Sequence, residues 1–172
     1  MPFPQSPTDR ILDRMVDMTV AANLHTEFGL ATPFTVRHFR NRNTTKTERP
    51  AIAFRLVSEE INPEIGAALG EVGWAMTVDI VVDMNLRPEG DLTTPDESGW
   101  NQLAGTANRV ANLFLDPSSQ LLTMVDDTLP GDKDPDEDST PDEGRLVQSI
   151  LVLYRTLRSD LNHLLNSEEN AP

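Results

Sequence analysis

Residues 71–84, EVGWAMTVDIVVDM, alternate with the period of two that a pleated strand imposes. Val72, Trp74, Met76, Val78, Ile80, Val82 and Met84 fall on one face, and Glu71, Gly73, Ala75, Thr77, Asp79, Val81 and Asp83 on the other. The first set is apolar and belongs in a core. The second is small or acidic apart from Val81, and reads as facing solvent or a neighbouring subunit. At roughly 3.3 Å per residue the strand spans about 45 Å, more than twice the usual length, so it is expected to bend or to run past its own domain.

The rest of the chain supplies partners for this strand. Residues 1–7 contain Pro2, Pro4 and Pro7 and read as an extended N-terminal arm that cannot donate regularly to a ladder. A helix follows over 8–26, capped by Ser6 or Thr8. Asp9 lies near its positive end, and Ile11, Leu12, Met15, Val16, Met18, Thr19, Ala22 and Phe28 recur at helical steps. Gly29 stops it. The run after Pro33 alternates as a strand, and 51–57, AIAFRLV, alternates again, the pair forming a hairpin or meander across the polar link 41–49. A connection over 58–70, with Pro63 and a short helical turn, leads into the long strand. Ser98 caps a second helix whose stripe is Trp100, Leu103, Ala104, Ala107, Val110, Ala111, Phe114 and Leu115. Residues 121–125 read as a short strand, and 126–143 as an exposed acidic loop. RLVQSILVLYRTL, 145–157, is apolar on both faces and fits a strand buried on both sides, with a helix as the alternative. Ser159 and Asp160 cap a last short helix, LNHLLN, before a polar tail over 166–172.

These pieces assemble as one α+β domain over 8–165. It has a mostly antiparallel sheet of four to five strands, two main helices packed on one face, a long acidic loop and the N-terminal arm.

Charge narrows the function. A formal net charge of −14 argues against a nucleic-acid or anionic-membrane binder, because both need clustered Lys and Arg. Without cysteine there is no disulfide, thiolate nucleophile or thiolate metal site. The N-terminus lacks a signal-peptide pattern, and no stretch approaches the ~20 apolar residues that span a bilayer. No nucleophile or base has a partner at useful spacing, no phosphate or dinucleotide fingerprint is present, and neither enzymatic activity nor a cofactor is expected.

Asp132, Asp134, Asp136, Asp138, Thr140 and Glu143 place oxygens at positions one, three, five, seven, nine and twelve of a calcium loop. Glu137 occupies the position that needs glycine, and Pro135 and Pro141 restrict the loop, so a solvated acidic loop is the default reading. His25, His38 and His163 have no metal-ligand spacing. Asp79 and Asp83 share a strand face with Glu71, but lie about 13 Å apart along it, too far for joint acid–base work. Arg37, Arg40, Arg42, Lys46 and Arg49 form a basic group fitted to phosphate, to the acidic loop of a neighbouring subunit, or to plain solvation at a hairpin tip.

Four segments carry a family resemblance: Arg49-Pro50 entering AIAFRLV, GWAMTVDIVVD, NQLAGTANRVANLFL, and LVLYRTLRSD. With them the chain, over about 8–165, resembles the tail terminator, or tail completion, family of tailed bacteriophages. The resemblance implies a non-enzymatic virion protein whose subunits form a ring, usually a hexamer. Such a ring caps the tail tube, joins it to a head connector or neck protein, and lets DNA pass through its lumen without specific binding. The implied location is the tail–neck region of the virion, and the host cytoplasm during assembly. Candidate subunit contacts are Trp74, Val81, Asp83, Arg42, Arg49, Leu151, Leu153, Tyr154 and Arg155. The acidic stretch 126–143 is expected to line the lumen or face the connector. The alternatives are another neck or head-closure ring protein, or a monomeric acidic calcium-binding module.

Overall fold

The computed structural model describes residues 5–39, 48–66, 69–85, 97–135 and 143–166, without the side chains of 97–100, 134, 135 and 143. Helix α1, Pro7–Ala21, begins where Ser6 caps it. The Ser6 hydroxyl accepts the Asp9 amide at 3.1 Å and donates to the Asp9 carboxylate at 2.7 Å, satisfying an amide the first turn leaves free. Pro7 sits at the start of the helix, where its missing N–H removes no bond. The helix ends before the expected residue 26. Asn23 adopts a left-handed conformation (φ 53°), and the chain restarts as one turn, α2, Leu24–Glu27.

Strand β1, Thr35–Phe39, and strand β2, Ala51–Ile61, pair in parallel, Thr35 opposite Ala51 and Phe39 opposite Arg55. The expected hairpin is therefore corrected. Turn chemistry in 41–49 pointed to a tight reversal, but β2 runs alongside β1 in the same direction. Strand β2 runs on to Ile61, and a bulge between Leu56 and Ser58 re-aims its end. Strand β3, Glu71–Asn85, is the long alternating stretch and pairs antiparallel with β2 and, along its whole length, with β5, Glu143–Leu157.

Helix α3, Glu97–Leu115, ends next to Asp116-Pro117 and leads into a 3-10 turn, Gln120–Thr123. A strand was expected there. Ser119 caps the turn instead and fixes Leu121 in the core. Strand β4, Asp127–Pro135, occupies the first half of the expected acidic loop and pairs with β5. Its composition is that of a loop, and β5's open edge makes it a strand. The last segment, expected as a helix, is strand β6, Asp160–Leu164, folded back on the end of β5. Leucines at helical spacing cannot outweigh a ladder already waiting on β5.

The fold is α+β as expected, with strand order β1-β2-β3-β5-β4 and β6 beside the end of β5. Ile11, Leu12 and Met15 of α1 and Leu103, Ala107, Val110 and Phe114 of α3 pack with Ile52, Phe54, Met76, Val78, Ile80, Val82, Ile150 and Val152 of the sheet. Phe54 and Phe114 meet edge to face at 5.5 Å. All these sheet residues share one face, so both long helices cover the same side, and among the described residues no helix covers the other.

Candidate functional site: the helix-free sheet face

Because side chains alternate along a strand, the set opposite the core is fixed by register. On β3 it comprises Glu71, Gly73, Ala75, Thr77, Asp79, Val81 and Asp83; on β5 it comprises Arg145, Val147, Ser149, Leu151, Leu153 and Arg155; Arg55 joins from β2. Charges on this face are neutralised in three groups. Asp83, fully buried, lies directly opposite Arg145, whose Nη2 reaches its Oδ2 at 2.9 Å, while Arg49 Nε stands 2.6 Å from Oδ1. Asp79 lies between its two register partners, accepting from Arg55 at 2.7 Å and from the Ser149 hydroxyl at 2.6 Å. Arg155 bridges Asp126, at 2.7 Å, and Glu71, at 2.9 Å, and Asn166 donates to the same Asp126 oxygen at 2.7 Å. The hydrogen bonds that Arg155 donates, to Asp126 above all and then, against the opposing effect of burial, to Glu71, push its guanidinium still further above its already high pKa.

Apolar side chains fill the gaps between these groups. Ala75 and Val81 are buried, Val147, Leu151 and Leu153 half-buried, and Leu129 of β4 is exposed. The chemistry this arrangement supports is contact. A partner can dry such a face without stranding an unpaired charge, since the carboxylates and guanidinium groups already satisfy one another.

The residues singled out from the sequence divide accordingly. Val81, Leu151, Leu153 and Arg155 share the helix-free face. Asp83 and Arg49 also lie there but are spent inside the chain, so the reading of the Asp79 and Asp83 face as solvent-exposed, and of Arg49 as part of a solvated tip, is corrected. Desolvating these carboxylates is tolerable only because arginines lie opposite. Trp74 and Tyr154 sit on the core side. Their rings stack at 6.3 Å, Trp74 Nε1 donates to Thr156 at 2.9 Å, and the buried Tyr154 hydroxyl donates to Glu59. Burial, then the Glu59 hydrogen bond, pushes the Tyr154 phenol well above its usual range. Arg42, with Arg40 and Lys46, falls outside the described residues.

The calcium-loop spacing, set aside above in favour of a solvated acidic loop, falls partly on strands. Asp132 and Asp134 lie on β4 and Glu143 on β5, so the first positions belong to a ladder and not to a loop following a helix. Asp136, Asp138 and Thr140 lie outside the described residues. Among the described residues no group of three or more His, Asp or Glu could hold a metal. His38 pairs with Asp13 of α1 at 2.8 Å, while His25 lines a hollow of about 120 Å³ beside β1. A second hollow, of about 160 Å³ between Leu30, Pro50 and Met84, is likewise below the roughly 300–1,000 Å³ of ligand pockets. Among the described residues no helix is long and apolar enough to cross a membrane.

Sequence reasoning missed Arg55, Ser149 and Asp126 as charge partners. A signal was present, since Arg145, Ser149 and Arg155 share one parity on their strand and Asp79 and Asp83 share one on theirs. Only the register was missing. The chain matches no protein-family model and finds no match among curated proteins.

Proposed function

We propose that the chain is a structural subunit of a homo-oligomeric ring in the virion of a tailed bacteriophage, of the tail terminator type. One observation carries the reading: two long antiparallel strands present a helix-free face on which charges are mutually neutralised and apolar side chains are left between them. That is a surface suited to packing against protein and poorly suited to catalysis. The resemblance described above supplies the biological setting, namely a ring, usually hexameric in that family, that caps the tail tube and docks the head connector. Acidic net charge is compatible with DNA passing through such a ring without adhering.

The experiment is tail assembly in the presence and absence of the chain. Phage tails assembled without a functional copy should lengthen without control and fail to join heads. Adding the purified wild-type chain should restore uniform length and head joining. Tails of normal length that join heads without this chain would defeat the assignment.

A further inference from the structure

The helix layer stops short of one end of the sheet. Helix α1 runs opposite in direction to β2: Thr19 and Val20 line a hollow with Ile52, and at the other end of the helix the Thr8 hydroxyl donates to Glu59. Past Glu59 the same sheet face carries Ile61, which stands opposite Trp74, itself opposite Tyr154. Exposure rises along this row: Tyr154 is buried, Trp74 half-buried, and Ile61 62% exposed. The turn that follows Ile61 does not cover it. That turn packs on the opposite face, where Gly73, lacking a side chain, leaves room for the carbonyl oxygens of Ile65 and Asn62.

We propose that residues 1–4, Met-Pro-Phe-Pro, supply the cover, with Phe3 seated on Ile61 beside Trp74 of its own chain. These four residues lie outside the described ones; what precedes and faces them is described. The chain enters α1 through Gln5 and the Ser6 cap, so the segment before Gln5 starts next to Glu59 and the exposed row. Reach is sufficient. Ile61 lies two residues past Glu59, about 7 Å, whereas four residues extend up to about 13 Å. The chemistry also fits: in a chain of net charge −14 this segment carries no charged side chain, and its two prolines lack the N–H groups that a ladder would need. The opposite terminus, 167–172, carries Glu168 and Glu169, whose desolvation against an isoleucine nothing offsets. This contact does not depend on the ring reading.

The test is a double-substitution cycle in the whole chain, with F3S, I61S and the two together measured by urea unfolding. F3S alone should lower the folding equilibrium constant roughly tenfold, as loss of a buried phenyl ring does. The double variant should fall short of the product of the two single effects by roughly fivefold, at every protein concentration. An F3S variant as stable as the wild type, or effects that simply multiply, would overturn the contact. Coupling that fades on dilution would give Phe3 to a second copy and overturn it equally. If I61S unfolds too readily to measure, a disulfide decides. The chain has no cysteine, so F3C/I61C can close only the bridge between those two positions. With oxidised glutathione it should close within one chain roughly tenfold faster than in F3C/V57C, because exposed Val57 lies as many residues from Glu59 on the other side. Equal rates, or bridges formed only between chains, would refute the seat on Ile61.

Discussion

Asp83 shows how a residue chosen for contact in the sequence can belong to the interior. It is fully buried, with Arg145 opposite and Arg49 over it, and replacing it removes the carboxylate that both guanidinium groups face. D83N should cost about 3–5 kcal/mol in urea unfolding, the range for breaking a buried ion pair from one side. A loss under ~1 kcal/mol would mean that the carboxylate is solvated after all. Gly73 is constrained differently: a Cβ there would stand 1.9 Å from the Ile65 carbonyl oxygen and 2.7 Å from that of Asn62, in the turn that joins β2 to β3. G73A should destabilise by at least about 1–3 kcal/mol, as overpacking against backbone does. Tyr154 gives a pH signature. Its folded pKa is raised, so the neutral phenol contributes stability that is fully present below the unfolded value of about 10 and is lost as pH rises above it. Because Tyr154 is the chain's single tyrosine, phenolate absorbance should stay silent through pH ~10 and rise only as the fold gives way. Y154F should flatten that alkaline fall in stability. The sequence showed the acidic face of β3 but not its partners, because burial of Asp79 and Asp83 depends on which arginines the register brings opposite.

Among the elements, period and caps were sufficient wherever a segment carried its own instructions. β3 appears within a residue or two of where alternation put it, and Ser6 caps α1; α3 forms on its apolar stripe but starts at Glu97, one residue before Ser98, so Ser98 lies inside the helix and is not its cap. The failures share a cause: their conformation is set by a neighbour. DTLPGDKDP has two prolines and a glycine and would be a loop alone, yet the free side of β5 makes β4 of it. DLNHL carries leucines at helical spacing, yet it returns along the end of β5 as β6. The parallel pairing of β1 and β2 was hidden because turn residues between two alternating runs look the same whether the chain reverses once or twice. Placing Asp132 and Asp134 in a ladder has a measurable consequence. Millimolar calcium should leave the melting temperature unchanged, whereas a site filled to 100 times its dissociation constant would add about 2.7 kcal/mol and a clear upward shift.

At the scale of the molecule, the account is of a sheet whose one face is covered by both long helices, with the remaining face offered to other copies. The fold class was legible because apolar periodicity, helix caps and length leave few arrangements for a chain of 172 residues. The candidate face was half legible: Val81, Leu151 and Leu153 could be chosen from alternation alone, but their separation from Trp74 and Tyr154 needed the parity of β3 against β5. The most direct test is the mass of the purified wild-type chain in solution by light scattering on a sizing column, alone and with tail tubes. The account predicts a closed particle of several chains, usually six by the family resemblance, that dissociates on dilution. A particle of one chain at every concentration, with and without tubes, would contradict it.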